Sequence, residues 1–366
     1  MIDKKDNKQT KKYYYISKKV RAIDKSNFYE YLSVMIDGGV TLSEALSSVN
    51  TKISNYFFKE KIEEIITYIS SGDSLSKSMK KNPDIFDSSE ISIIEAGEST
   101  GMLVESLKKL AEDLLKAHNL KKKIKGSLTY PVIIFLFLIF AVIIVLIYVI
   151  PAIKPLFETS EVELPTATKA LLFTSDFIRN NFISLLFFFF SVFVAFVGYK
   201  NTLTGRKHLE SLLLGFPLIG KVYRNYILSG IASNLGGLVG SGVSIVKALT
   251  LTGKSTNNIL YESMFDAIVR KVTAGEKIVD SMQELDEENY YFPISFLQML
   301  SVGEKTASIE RISRKMNEQY TTEVNNSLSS LVKWIEPIAI LIAGIFVLWF
   351  AFAIFGAILK VTDIVG

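Results

Sequence analysis

Val132–Ile150 runs for nineteen residues without a charged residue, Asn, Gln or Gly, and only Tyr148 has a polar tip. A bilayer core about 30 Å thick takes ~20 apolar residues as a helix, so this run predicts a transmembrane span. Pro131 precedes it and Pro151 follows it. Proline suits the first turn of a helix, where the N–H it lacks would be unpaired, and the pattern predicts a helix opening at Pro131 and closing at Pro151. Phe182–Tyr199 and Ile338–Leu359 predict two further spans, the last again preceded by a proline, Pro337.

The rest of the chain reads as helical. Leu103, Leu107, Leu110 and Leu114 recur at helical spacing on one face. Thr41 with Glu44, and Asp87 with Glu90, have the spacing of capping boxes. No sustained period-two alternation argues for a sheet. Residues 26–125 therefore predict a bundle of about six helices, large enough to own a core.

That unit returns. Gly39-Val40-Thr41-Leu42, with Ala45-Leu46, recurs 203 positions on as Gly242-Val243-Ser244-Ile245, with Ala248-Leu249. Gly72-Asp73 and Ser78-Met79 recur at the same offset as Gly275-Glu276 and Ser281-Met282. Past an insertion around Asp286-Glu287-Glu288 the offset becomes 206: Phe86 maps to Phe292, Gly97-Glu98 to Gly303-Glu304 and Pro131 to Pro337. The repeat unit is a helical bundle running into a span that follows a proline. Two units in one orientation need an extra crossing between them, which Phe182–Tyr199 supplies. The repeats are thus parallel, unlike the inverted repeats of many transporters.

Charge orients the units. Lys116, Lys121, Lys122, Lys123 and Lys125 precede the first span, and Lys200, Arg206, Lys207, Lys221 and Arg224 follow the second. Residues 151–181 are slightly acidic. Basic flanks face the cytoplasm. The expected organisation is a basic, disordered tail (1–25) and a first cytoplasmic bundle (26–130). A span (131–150), an external loop (151–181) and a second span (182–199) follow. A second cytoplasmic bundle with its lead-in (200–337), a third span (338–359) and an external tail (360–366) complete it. The fold class is an all-α membrane protein with two homologous cytoplasmic bundles and three spans, N-terminus inside and C-terminus outside. The tail is expected to be solvated, with anionic lipid or an acidic partner as alternatives.

Composition limits the chemistry. The chain has no cysteine and two histidines, His118 and His208, so neither a thiolate site nor a histidine-based triad or metal cluster is expected, and no catalytic residue or cofactor. Thr252-Gly253-Lys254-Ser255 echoes the end of a phosphate loop, but Ala248 stands where the motif needs glycine. It reads as a helix C-terminus capped by Gly253, with Lys254 near the last carbonyls. Glu95, Glu98 and Glu304 flank glycines, and the structural reading is that the glycine ends one helix and the acid sits at the start of the next. Acid–base work, a cation or an intersubunit contact are the other readings. The spans carry no Asp, Glu, Lys, Arg or His, the residues on which membrane ion pathways depend. A small transporter or channel with parallel repeats, the alternative from another class, would need them. Ala339, Ala343, Gly344, Ala353, Gly356 and Ala357 give the third span a small-residue face suited to helix packing and dimerisation. No direct nucleic-acid contact is expected.

The chain resembles the inner-membrane platform proteins of type IV pili and type II secretion, the GspF/PilC family, over residues 26–360. The likeness rests on Gly38-Gly39-Val40, Glu95-Ala96-Gly97-Glu98-Ser99-Thr100-Gly101, Thr129-Tyr130-Pro131, Leu164-Pro165-Thr166-Ala167-Thr168, Phe216-Pro217-Leu218-Ile219-Gly220, Ser241-Gly242-Val243 and Glu336-Pro337. It implies a non-enzymatic scaffold in the bacterial cytoplasmic membrane. Implied partners are a cytoplasmic assembly ATPase (a retraction ATPase is a further candidate), pilin or pseudopilin subunits, other inner-membrane assembly proteins, membrane lipid and further copies of the chain as a homodimer or higher oligomer. It marks Gly97-Glu98 and Gly303-Glu304 as signature turns, and Gly39, Gly101, Pro131, Gly242 and Pro337 as further structural or interaction candidates. Lys305-Thr306-Ala307 departs from Ser99-Thr100-Gly101.

Overall fold

A computed structural model describes residues 20–158, 164–217 and 219–365; most of the predicted N-terminal tail lies outside them. Among these residues the fold is all-helical, in two compact units.

Of the described residues, the first unit takes in those up to 120, 228–257 and 261–318, and most of the bundle part of both repeat copies lies in it. The first copy is α1 (Ala22–Asp37), α2 (Leu42–Lys52), α3 (Tyr56–Ser70), α4 (Leu75–Lys80), α5 (Ser88–Thr100) and the start of α6 (Leu103–Ile144). Local chemistry sets the boundaries. Thr41 accepts the Glu44 N–H, Asn55 that of Phe58, Ser74 that of Lys77, and Asp87 those of Ser89 and Glu90. Each occupies an N-cap, where a side-chain oxygen satisfies an amide that the helix cannot. Gly39 and Gly72 follow helix ends with φ of +85° and +95°, and Gly242 and Gly275 repeat this at +85° and +98°, a conformation that costs a Cβ-bearing residue roughly 1–2 kcal/mol.

The core of the first copy is aromatic. Phe28, Tyr29, Phe58 and Phe86 are fully buried, with Phe28 and Phe58 edge to face at a centroid separation of 5.5 Å. Burying each such side chain contributes ~1.5–3 kcal/mol.

The intervening and second-copy helices are α7 (Ile150–Glu158), α8 (Thr166–Asn180), α9 (Phe182–Lys200), α10 (Leu203–Gly215), α11 (Ile219–Gly240), α12 (Ile245–Ser255), α13 (Ile259–Thr273), α14 (Ile278–Leu285), α15 (Ile294–Lys305) and α16 (Ile309–Val365). In the second copy Phe265, Phe292 and Phe296 form the matching cluster, with Phe292 in the place of Phe86.

The two copies pack in a one-way manner. Helix α12 lies on α5, whereas their repeat counterparts, α2 and α15, do not pack on each other in that way. The difference is written in side-chain size. On α11, Gly230, Ser233, Asn234 and Gly237 are covered or half-covered, and a Cβ on Gly237 would lie 3.5 Å from Asp113 Oδ2. The counterparts on α1 are Asn27, Glu30, Tyr31 and Val34, all exposed. Small residues stand where the other copy approaches, and larger, exposed ones at the equivalent positions of α1.

The second unit comprises residues 121–227, 258–260 and 319 onward. Among the described residues it holds the apolar parts of three helices long and apolar enough to cross a membrane, within Leu103–Pro155, Phe182–Lys200 and Ile309–Leu359. Two expectations change here. Pro131 and Pro337 do not open helices: both lie inside, because α6 and α16 begin well before the apolar runs. Nor does Pro151 close one. The helix widens into a π-helical turn over Val145–Val149 and continues as α7. The wider turn gives the Pro151 ring room that the carbonyl of the preceding turn would otherwise take.

The stretch expected to be an external loop contains α7 and α8. Leu171 of α8 packs with Leu146, Ile150 and Ala353. The Thr168 hydroxyl donates to the Ala353 carbonyl at 2.5 Å, and that of Ser175 to the Leu146 carbonyl at 2.5 Å. Lys154 pairs with Asp176 at 2.8 Å. Ala353 of the small-residue face is thus covered within the chain, and Gly356 faces Pro165, whose Cγ would lie 3.5 Å from an added Cβ. Helix α9, by contrast, buries no residue.

Candidate functional sites: the paired glutamates and the bundle seam

The candidate residues of the two copies do equivalent structural work. Gly97 and Glu98 are not a turn; they lie in the last turns of α5, and Gly303 and Glu304 in those of α15. The chain turns four residues after each glycine. Gly101 ends α5 in the left-handed region at φ +73°, and Ala307 sits in the same conformation at φ +49°. The Gly97 carbonyl accepts the Met102 N–H at 2.8 Å, and the Gly303 carbonyl that of Ser308 at 2.8 Å. This 6→1 bond satisfies a carbonyl that the helix leaves open. Gly97 also meets α6 closely: an added Cβ would lie 2.4 Å from Ser106 Oγ.

The glutamates cap a helix start, but of the preceding helix rather than the next. Glu98 accepts the Leu75 N–H at 2.6 Å and that of Ser76 at 3.2 Å, with the Ser76 hydroxyl as a third donor. Glu304 accepts the Ile278 N–H at 2.6 Å and that of Val279 at 3.4 Å. A carboxylate on the free amides of a first turn is favoured by both hydrogen bonding and the helix dipole. In each copy, then, one glutamate holds the short helix (α4 or α14) to the one that follows it. Gly39 and Gly242 are the left-handed residues between the first two helices of each copy.

Burial reveals a site that the spacing alone missed. Asp87 caps α5 as expected, but Glu90 does not complete a box. Its carboxylate is buried, accepts the Tyr29 hydroxyl at 2.7 Å and pairs with Lys25, whose ammonium also donates to the Ile85 carbonyl at 2.9 Å. Burial, reinforced by Asp87, pushes the Glu90 pKa up to about 8, against the pull of Lys25. Burial likewise raises Tyr29 well above its ordinary value.

The seam between the two bundles is polar. The hydroxyls of Ser89 and Ser255 are 2.9 Å apart, and Lys247 pairs with Glu95 at 3.1 Å. Lys109 donates to the Gly236 carbonyl at 3.3 Å and lies 4.0 Å from Glu310, which Arg314 binds at 2.9 Å. These groups line a cavity of about 330 Å³ together with Asp113. Burial raises the Asp113 pKa to about 6 and lowers that of Lys109. Glu95 therefore serves the contact between copies.

Thr252–Ser255 is helical, the last turn of α12, and Gly253 is not its cap. The glycine is required by packing: an added Cβ would lie 2.5 Å from Phe265 Cβ.

A duplicated six-helix bundle and three apolar helices define a multi-pass membrane protein of repeated architecture. The profile of the type II secretion system (T2SS) protein F family matches residues 28–151 and again 231–357, and the chain belongs to that family. It is 29% identical over 324 residues to the type IV pilus assembly protein PilC of Thermus thermophilus, covering 88% of this chain and 79% of the relative. It is 26% identical over 355 residues to PilC of Pseudomonas aeruginosa, covering 95% and 92%. With the type II secretion system protein F of Aeromonas hydrophila the identity is 24% over 342 residues, covering 92% and 85%.

Proposed function

We propose that this chain is the inner-membrane platform of a type IV pilus or a related pseudopilus or secretion machine. In this reading it is a scaffold and not an enzyme. It couples a cytoplasmic assembly ATPase to the extraction and polymerisation of pilin or pseudopilin subunits. Both bundles, bounded as the sequence predicts, face the cytoplasm, the C-terminus lies outside, and the chain works as a homodimer or higher oligomer. Membership of the T2SS protein F family, with relatives named for pilus assembly and secretion, supports the role.

The observation that carries the coupling is helical continuity. Helix α6 runs unbroken from Leu103 to Ile144 and α16 from Ile309 to Val365, so each bundle's last helix becomes a span without a loop. A continuous helix transmits tilt or rotation, whereas a flexible linker dissipates it. Inserting Gly/Ser residues between Lys125 and Pro131 is expected to leave the protein inserted and abundant while fibre assembly stops. Normal fibres from that variant would exclude mechanical coupling through α6.

A further inference from the structure

Helix α10 leaves the second apolar helix through Asn201 and Thr202 alone, and it belongs to the same compact unit as the spans. The Tyr199 hydroxyl and His208 Nδ1, 2.7 Å apart, tie it to the end of α9. One side of α10 is held by protein. Leu214 is buried, and the buried Glu210 accepts the Ile259 N–H at 2.6 Å and the Arg206 guanidinium at 2.9 Å.

Another side is largely open among the described residues. Leu209, Leu212, Leu213 and the residue just past the helix, Phe216, fall at i, i+3, i+4 and i+7, a single stripe. Leu212 is 66% exposed, Leu213 43% and Phe216 59%, with Leu209 half-buried. Thr204, Lys207 and Ser211 are exposed on the side away from that stripe. A contiguous apolar patch of this kind marks a contact surface. Its place beside the end of a span says which contact: the medium there is the boundary between headgroups and acyl chains.

Charge agrees. Residues 200–227 carry Lys200, Arg206, Lys207, Lys221 and Arg224 against Glu210 alone, and Lys200 and Lys221 stand exposed just before and after α10. An amphipathic helix flanked by cations lies in the plane of the interface, and anionic headgroups attract such a segment. We propose that α10 is an interfacial lipid-binding helix. The Leu209, Leu212, Leu213 and Phe216 stripe enters the leaflet at which α9 ends, and anionic phospholipid headgroups gather at its basic flanks.

The chain has no cysteine, so single-thiol variants of the full-length protein can carry a fluorophore at chosen positions. Labels would be placed at Leu209→Cys, Leu212→Cys and Leu213→Cys, and at Thr204→Cys, Lys207→Cys and Ser211→Cys. The protein would be reconstituted in vesicles of phosphatidylcholine alone or mixed with phosphatidylglycerol. Quenchers carried on lipid chains should act several-fold more strongly on the first set, and an aqueous quencher on the second, with the contrast growing when phosphatidylglycerol is present. Aqueous quenching of all six positions would overturn the proposal. So would a first set shielded from both quenchers and cross-linking to a second copy, which would make the stripe a protein interface. Equal contrast in both lipids would overturn the anionic preference.

Discussion

Glu90 and Phe296 occupy the same position of the two bundles, 206 residues apart, and only the first brings a carboxyl group into the core. The partners change with it. Lys25, which pairs with Glu90, corresponds to Leu228 at the offset of 203, and Tyr29 corresponds to Ala232. At these three positions the second copy has a leucine, an alanine and a phenylalanine where the first has an ammonium, a phenol and a carboxyl. Replacing both members of a buried polar pair with packed apolar groups is often neutral or stabilising, whereas removing one leaves the other unsatisfied at a cost of roughly 1–3 kcal/mol. Transplanting the second core into the first, as Lys25→Leu, Tyr29→Ala and Glu90→Phe together, is therefore expected to leave the melting temperature of the detergent-solubilised chain unchanged or raised. Lys25→Leu alone should lower it. A triple variant no better than that single one would show that the two cores are not interchangeable.

The same carboxylate sets a pH dependence. Glu90 has its folded pKa raised to about 8 from an ordinary 4.5. Between those values the folded chain holds a proton that the unfolded chain has lost. Stability falls with rising pH wherever the folded state binds more protons. The contribution is thus fully present below the ordinary carboxylate range and is lost as pH rises toward 8. Asp113, raised to about 6, acts in the same direction over a narrower window. Glu90→Gln is expected to flatten the fall in melting temperature between pH 5 and 8, which thermal unfolding across that range would measure.

The paired glutamates should differ in weight. Glu98 has three donors and Glu304 two, because Ser76 of the first copy is replaced by Val279 in the second. Hydrogen bonds to a charged group contribute roughly 1.5–3 kcal/mol. Glu98→Ala should cost more than Glu304→Ala, and each Gln variant should recover part of the loss. Proteolysis would localise the effect, since α4 or α14 should become the first site of cleavage.

Much of this architecture was legible in the sequence because period and repeat speak directly of burial. The three apolar runs, the bundle of about six helices and the offsets of 203 and 206 all correspond to elements of the structure. Gly39 and Gly72 do punctuate the chain at helix ends, but other readings of prolines and glycines as punctuation failed. Pro131 and Pro337 sit within helices, since the charged stretches before them are helical too and leave no boundary to mark. Gly253 and Gly97 are internal, their role being closeness to Phe265 and Ser106, which no local pattern announces. The Lys25–Glu90–Tyr29 cluster was within reach: aligning the copies places Glu90 against a phenylalanine, a sign that this carboxylate is buried. The bundle seam was not, because which faces of two similar bundles meet depends on contacts far apart in sequence.

The departure of the second copy from the first at Ala307 has a measurable consequence. Gly101 and Ala307 end equivalent helices in the left-handed region, at φ +73° and +49°. A Cβ on Gly101 would meet nothing within 4 Å, so the cost of a side chain there is conformational and not steric crowding. L-residues pay about 1–2 kcal/mol in that region, partly offset because glycine is the more flexible residue in the unfolded chain. Gly101→Ala should therefore destabilise the first copy, and Ala307→Gly should stabilise the second by about 1 kcal/mol. Denaturant unfolding of the two variants would show midpoints moving in opposite directions by similar amounts. A fall in stability for Ala307→Gly would mean that its methyl group makes contacts that outweigh the backbone term.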